Sequence, residues 1–347
     1  MLLDPVILFF LLGAAARVAG SDLRLPEALY EALSIYLLIA IGLKGGAQLA
    51  VQPLDALWPI ALAAMALSAL TPLLLYPMLR GPVGLDGVNA AAIAAHYGSV
   101  SVVTFAVAQS AMSRAGLEPE AWLAMLVALM EAPGIIVGVM LARRVLRRDA
   151  LAASHAQHDA RLAPGAASVG PRTGTVVPLA PSATQGWAAL LHEVVFGKAL
   201  VLLLGGLAIG WVAGPQALAP TDPFFLGLFK GVLALFLLEL GLVVGGRLGD
   251  LRRAGWRLLA FGLIAPLILG VAGAMLGAGL GLSATAVATF AALAASASYI
   301  AAPTALRLAV PQANPSLSIG LALGVTFPFN VILGIPLYIE IARWLTR

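Results

Sequence analysis

The sequence predicts an all-α polytopic membrane protein of ten transmembrane helices, arranged as two inverted five-helix repeats with the fourth and ninth helices broken. Three observations carry this. The chain is 61% hydrophobic and 10% charged, where soluble globular proteins sit near ~45–50% and ~25%. Its apolar runs are about 20 residues long and lack the alternation of barrel strands, so each segment must satisfy its own backbone as a helix. Finally, the chain is written twice. Leu29-Tyr30-Glu31 through Leu38, Gly42, Leu43, Gly46 and Leu49 returns as Leu228-Phe229-Lys230 through Leu237, Gly241, Leu242, Gly245 and Leu248. Downstream, Thr71-Pro72-Leu73 lines up with Ala265-Pro266-Leu267, Ser99-Val100-Ser101 with Ser296-Ala297-Ser298, and Glu131-Ala132-Pro133 with Thr326-Phe327-Pro328.

The spans are expected at 3–20, 27–43, 57–79, 86–112 and 121–143, then at 196–214, 224–246, 257–280, 284–309 and 317–343. The first is short, but further spans follow at once, so it reads as a helix rather than a signal peptide. Residues 1–143 form the first repeat and 186–347 the second. Between them 144–185, rich in Ala, Pro, Gly and Ser, reads as a flexible cytoplasmic linker, and Trp187 to Val195 as an interfacial helix. Five spans on either side of the linker make the second copy enter the membrane from the opposite face.

Charge selects the faces. With both termini outside, fourteen arginines fall on the cytoplasmic side, among them Arg143, Arg144, Arg147, Arg148, Arg161, Arg172 and Arg307, against Lys44, Arg114, Arg343 and Arg347 outside. This is the positive-inside pattern. The net charge of +4 is thus concentrated where it meets anionic lipid headgroups. Nothing in it points to nucleic acid, which would need a soluble domain with interleaved aromatics. Zero cysteines exclude disulfides, thiolate metal sites and thiol catalysis.

The chemistry is expected at the breaks. Gly98 and Pro303 weaken regular helix beside the two Ser-x-Ser motifs, and half-helices opposed there would present unpaired N–H groups and positive dipole ends to an anion. One such pair alone is better read as close packing. Its recurrence in both copies favours a binding site of Ser99, Val100, Ser101, Ser296, Ala297 and Ser298 at a repeat interface, as in inverted-repeat carriers. Glu131, beside Pro133, is an acid in a span and so a functional candidate, suited to a hard cation such as sodium with carbonyls freed by the proline. Thr326 and Asn330 occupy the matching place in the tenth span. Further candidates are His96, a proton relay or a helix cap, and Tyr299, directly after the second Ser-x-Ser. Glu31 and Glu239 are expected to pair with Lys230, Lys44 or a neighbouring subunit.

Gly42-Leu43-Lys44-Gly45-Gly46, the two Ser-x-Ser breaks, Met130-Glu131-Ala132-Pro133, and Ala302-Pro303-Thr304-Ala305-Leu306-Arg307 with Pro311-Gln312-Ala313-Asn314-Pro315-Ser316 resemble the sodium-dependent bicarbonate transporters first known from cyanobacteria. The resemblance covers nearly the whole chain except the linker. It implies a scaffold of spans one, two, six and seven, a mobile core of the other six, and a homotrimer working by an elevator motion. It also implies bicarbonate at the crossing of spans four and nine with sodium nearby, and a PII-like cytoplasmic regulator. Where those members carry an acid directly after the second Ser-x-Ser this chain has Tyr299, a neutral occupant of that cation position or a hydrogen-bond donor to the anion. The resulting expectation is a bacterial inner-membrane symporter of a small anion, bicarbonate first, driven by sodium and without a bound cofactor. The alternative is a sodium- or proton-coupled carrier of another small organic anion. An intramembrane enzyme ranks below these, since Glu131 has no second acid in its segment, and so does a channel, since an open pore needs neither a carboxylate nor two broken helices at one closed site.

Overall fold

The computed structural model describes residues 5–118, 120–162, 183–253 and 255–347, and every regular element among them is helical. In chain order the helices are α1 (Pro5–Val18), α2 (Glu27–Leu49), α3 (Leu54–Arg80), α4 (Gly87–Gly98), α5 (Val102–Arg114) and α6 (Ala124–Leu162). After the linker come α7 (Ala183–Val195), α8 (Lys198–Leu218), α9 (Phe229–Arg253), α10 (Trp256–Gly279), α11 (Ala284–Ala294), α12 (Ala301–Ala309) and α13 (Pro315–Leu345). Among the described residues eight helical stretches are long and apolar enough to cross a bilayer, α4 and α5 counting together as Gly87–Arg114. The other two expected spans are shorter: the first is only Pro5–Val18, and the ninth is divided into α11 and α12. The protein is a multi-pass membrane protein.

The repeated glycines are where backbones touch. α2 lies along α8 and α1 along α9. A methyl group on Gly46 would sit 2.0 Å from the Leu207 carbonyl oxygen, and one on Gly241 would sit 2.1 Å from that of Phe10. Only a residue without Cβ permits such an approach, which in lipid is a main source of helix association. The duplicated Gly-Leu-x-x-Gly is thus a packing signature in both copies. α3, α4 and α6 pack together, as do α10, α11 and α13, and α5 and α11 touch across the two groups.

Outward faces are apolar, with Leu70 and Leu74 on α3 and Ile264 and Ile268 on α10 all more than half exposed. Trp58, Trp211, Trp256 and Trp344 are exposed near helix ends, the position of an interfacial aromatic belt. α8 kinks at Gly214 (φ 70°), followed by Pro215, which is where the sixth span was expected to end.

Two local expectations change. α6 runs on as helix to Leu162, past residue 143 where the fifth span was expected to end. Residues 143–162 contain no Gly or Pro and are rich in Ala, Leu and Arg, so local propensity favours continued helix until Pro164 approaches. Most of the rest of the linker, including Arg172, lies outside the described residues. Glu31 pairs with Lys198, Nζ to Oε1 3.1 Å, rather than with Lys44 or Lys230. The packing of α2 on α8 brings the two ends together.

Candidate functional site

α4 ends where Ser99 turns extended (φ −94°, ψ 161°), and Ser101 (φ −107°, ψ 115°) caps α5 by accepting the Thr104 N–H at 3.1 Å. In the second copy α11 stops at Ala294 and α12 resumes at Ala301, with the Ser298 hydroxyl accepting the Ala302 N–H at 3.2 Å. The two breaks meet. The Ser101 N–H donates to Ser296 Oγ (2.9 Å), and the Ser298 N–H donates to the His96 carbonyl (2.7 Å). Ser296 in turn donates its hydroxyl to Leu293 O at 2.7 Å. All four serines are buried.

Three of these hydroxyls are therefore engaged with backbone groups, and one is not. Ser99 Oγ is buried without a hydrogen-bond partner. An unpaired buried hydroxyl is costly, so of the four serines Ser99 is the one that gains most from a further partner. Val100 and Ala297, between the serines, are buried and supply backbone and shape.

Gly98 and Gly134 cross at the first break, where a methyl on Gly134 would fall 2.1 Å from Gly98 C. The fastening is Ser68 of α3, which the sequence reading missed. Its Oγ accepts the Gly134 N–H (2.9 Å) and lies 2.8 Å from both Met130 O and Gly98 O. In an unbroken helix Gly134 N–H would bond Met130 O directly. The Ser68 hydroxyl bonds both of these groups, directly beside Pro133, whose missing N–H already weakens that part of α6. The only signal available was a polar residue four before Pro72 of α3, and a lone serine in a span is usually packing.

Glu131, on the same turn as Met130, is 4% exposed and its Oε2 has no hydrogen-bond partner. It lines a cavity of about 320 Å³ between α2, α6, α8 and α12, together with Tyr30, Ser34, Lys198, Ile300 and Thr304. Ile300 directly precedes α12, so this cavity reaches from the second break to the exposed Lys198–Glu31 pair. The acid thus has a water-sized route to the surface without being exposed there.

The matching turn of α13 is built differently. Two π stretches, Ala322–Thr326 and Asn330–Gly334, precede Pro328 and Pro336, each absorbing the hydrogen bond that a proline cannot donate. Thr326 donates to Gly262 O (2.9 Å) and meets the Tyr97 hydroxyl. Asn330 Nδ2 donates to Ala295 O (2.7 Å), and its Oδ1 accepts from Tyr338, which also reaches Pro266 O at 3.0 Å. Asn330 thereby ties α13 to the end of α11. Tyr97 and Tyr338 were not singled out from the sequence.

Tyr299 is partly buried, edge-on to Phe327 with ring centroids 5.7 Å apart, and its hydroxyl has no partner in hydrogen-bond geometry. His96 is 1% exposed and is held by Nδ1 against Ala92 O at 2.8 Å. Among the described residues no group of three or more His, Cys, Asp or Glu side chains could hold a metal ion together.

A model of the family described as "Na+-dependent bicarbonate transporter superfamily" matches residues 5–343, nearly the whole chain. No curated protein sequence matches significantly.

Proposed function

We propose that this chain, which belongs to the Na+-dependent bicarbonate transporter superfamily, is a secondary active carrier that takes up a small anion, bicarbonate first, on a sodium gradient. The observation that carries the reading is the meeting of two helix breaks from opposite halves of the sequence, with Ser101 N–H on Ser296 Oγ and Ser298 N–H on His96 O. Each break starts a new helix, α5 or α12, whose first N–H groups suit an anion. Ser99, Val100, Ser101, Ser296, Ala297 and Ser298 form this substrate site, and the free Ser99 hydroxyl is its first donor.

Glu131 is the coupling-cation residue. Its carboxylate has a free oxygen, and the adjoining cavity gives sodium a path that does not cross the anion site. Thr326 and Asn330, expected beside it as cation ligands, direct their polar atoms to protein partners, so their part in this reading is to hold the tenth span in its π-bulged shape. Tyr299 borders the crossing as a further donor.

The helix pairing supports a ten-span inverted repeat. Exchanging the copies turns the α1–α9 contact into α8–α2, and the α3–α4 contact into α10–α11, and all four occur. The pairs α1–α9 and α2–α8 then form the scaffold against which the remaining spans move as an elevator. The resemblance adds a homotrimer, a bacterial inner-membrane location with both termini outside, and a PII-like regulator on the basic face. Uptake of labelled bicarbonate and of small carboxylates into proteoliposomes, with and without a sodium gradient, tests the reading. Sodium-independent uptake, or a carboxylate preferred over bicarbonate, would overturn it.

A further inference from the structure

Beside the first break lies a second cavity, of about 160 Å³, lined by Ala92, His96, Pro303, Arg307 and Ser318 among others. Of its lining the anion crossing uses only the His96 backbone carbonyl, and the cation route uses none. His96 is its buried end, 1% exposed, with Nε2 lacking any hydrogen-bond partner. Since a carbonyl oxygen only accepts, the contact with Ala92 O puts the ring proton on Nδ1. In the neutral ring Nε2 therefore carries a lone pair that no protein group engages, on a residue that lines the cavity. Arg307 is its exposed end, with no ion-pair partner among the described residues.

One cation and one buried acceptor make an unusual demand on a ligand. A fully deprotonated oxyanion would satisfy the guanidinium and set its own lone pairs against Nε2. An oxyanion that keeps one O–H meets both needs, because its charged oxygens accept from Arg307 while its hydroxyl donates to His96. We propose that this cavity is a second anion site, separate from the serine crossing and opening on the basic face, that binds a singly protonated oxyanion of the hydrogencarbonate type. Arg307 supplies the charge, and His96 reads the proton. The inference rests on the reading of the chain as a small-oxyanion carrier and adds a basis for telling hydrogencarbonate from anions of like shape and charge.

Nitrate is the discriminating probe, being planar and singly charged like hydrogencarbonate but without an O–H. Exchange of labelled hydrogencarbonate in proteoliposomes at one fixed pH is measured with unlabelled hydrogencarbonate or nitrate added to one face at a time. On the Arg307 face, His96→Phe is expected to raise the half-inhibiting hydrogencarbonate concentration about tenfold, the scale of one lost hydrogen bond, and to leave that of nitrate unchanged. Arg307→Gln, at an exposed position, is expected to raise both together, and neither variant should act on the opposite face. The proposal is overturned if His96→Phe shifts nitrate and hydrogencarbonate alike, or if Arg307→Gln shifts neither. The second variant keeps the test decisive should the buried substitution fail to fold. Wild-type protein that exchanges no hydrogencarbonate would remove the carrier reading itself and this site with it, a result distinct from unaltered variants of an active carrier.

Discussion

The fifth and tenth spans begin from the same sequence landmark, a polar residue two before a proline, and reach opposite solutions. In α13 the polar groups turn inward: Thr326 bonds Gly262 O, and Asn330 joins Ala295 O to Tyr338. In α6 the carboxylate of Glu131 keeps Oε2 unpartnered at the edge of a cavity. Polar groups inside a bilayer are tolerated when satisfied and are otherwise retained for function. The copies therefore differ in polar satisfaction, one tying its polar groups to neighbouring helices and the other leaving a carboxylate oxygen unpartnered. The partner position in the preceding repeat span makes the same exchange. Ser68 of α3 reaches across to α6 with its side chain, while Gly262 of α10 offers only a carbonyl to α13.

The largest expected effect lies at Glu131. Glu131→Gln removes the charge at nearly constant volume, so the protein should fold with wild-type thermal stability or better. Half-saturating sodium is expected to rise more than 100-fold, about 3 kcal/mol. Asn330→Leu should do the reverse, lowering the thermal midpoint in detergent while leaving the sodium response of the folded fraction intact. Sodium dependence unchanged in Glu131→Gln, or lost in Asn330→Leu, would break the division between the two spans.

Next in size is Ser68. Ser68→Ala leaves the Gly134 N–H, Met130 O and Gly98 O without their shared hydroxyl, at a cost of about 2 kcal/mol, read as a lower midpoint of denaturation. Gly262→Ala probes the same position in the second copy by a different route, since its new methyl would lie 2.7 Å from Leu321 Cδ1. That atom ends a flexible side chain, so the expected loss is smaller than for Ser68→Ala. Equal losses would mean that Ser68 acts by volume and not by its hydrogen bonds.

What was legible in the sequence follows from where backbones touch. The duplicated glycines, the Ser-x-Ser pairs and the prolines each answer to a local geometric demand, so they stand out in a chain read alone, and the contacts of Gly46 and Gly241 show why both copies keep them. The breaks at Ser99–Ser101 and Ser296–Ile300 were read in place for the same reason. Ser68, Tyr97 and Tyr338 were not, because each is an ordinary residue whose importance comes from partners far off in sequence. The state of each serine was equally hidden. Composition cannot tell that Ser296 and Ser298 hold backbone groups while Ser99 holds none.

That contrast gives the third prediction. Ser99→Ala removes a hydroxyl with no protein partner, so stability should hold or improve while the bicarbonate concentration for half-maximal uptake rises about tenfold. Ser296→Ala removes the acceptor for Ser101 N–H and should lower stability by about 1–2 kcal/mol. If Ser99→Ala transports with unchanged affinity, the free hydroxyl is not the anion's donor, and the site must rest on helix ends alone.

The smallest expected effect separates the copies at the entry to their broken spans. Asp86 caps α4, its carboxylate accepting from Val88 and Asn89 N–H at 3.0 Å each, while Ser283 caps α11 by accepting from Ala286 N–H at 3.1 Å. Partial burial alone would raise the Asp86 pKa, but the bonds from Asn89 and Val88 outweigh it and hold the carboxyl below its usual range. A depressed folded-state pKa gives stability that is present above the unfolded value and is lost as pH falls through the folded one. The Asp86 cap should therefore be complete at neutral pH and fade below about pH 4, the ordinary aspartate range, whereas the Ser283 hydroxyl carries no charge itself and donates to the Glu120 carboxylate. Either cap replaced by alanine should cost about 1 kcal/mol at pH 7. Hydrogen exchange reads the difference directly: on acidification the protection factors of the Val88 and Asn89 amides should drop relative to that of Ala286, and in Asp86→Asn, which caps without titrating, that drop should disappear. A parallel fall at both caps would show that acid loosens the two broken spans together and that the carboxylate gives the first no separate sensitivity.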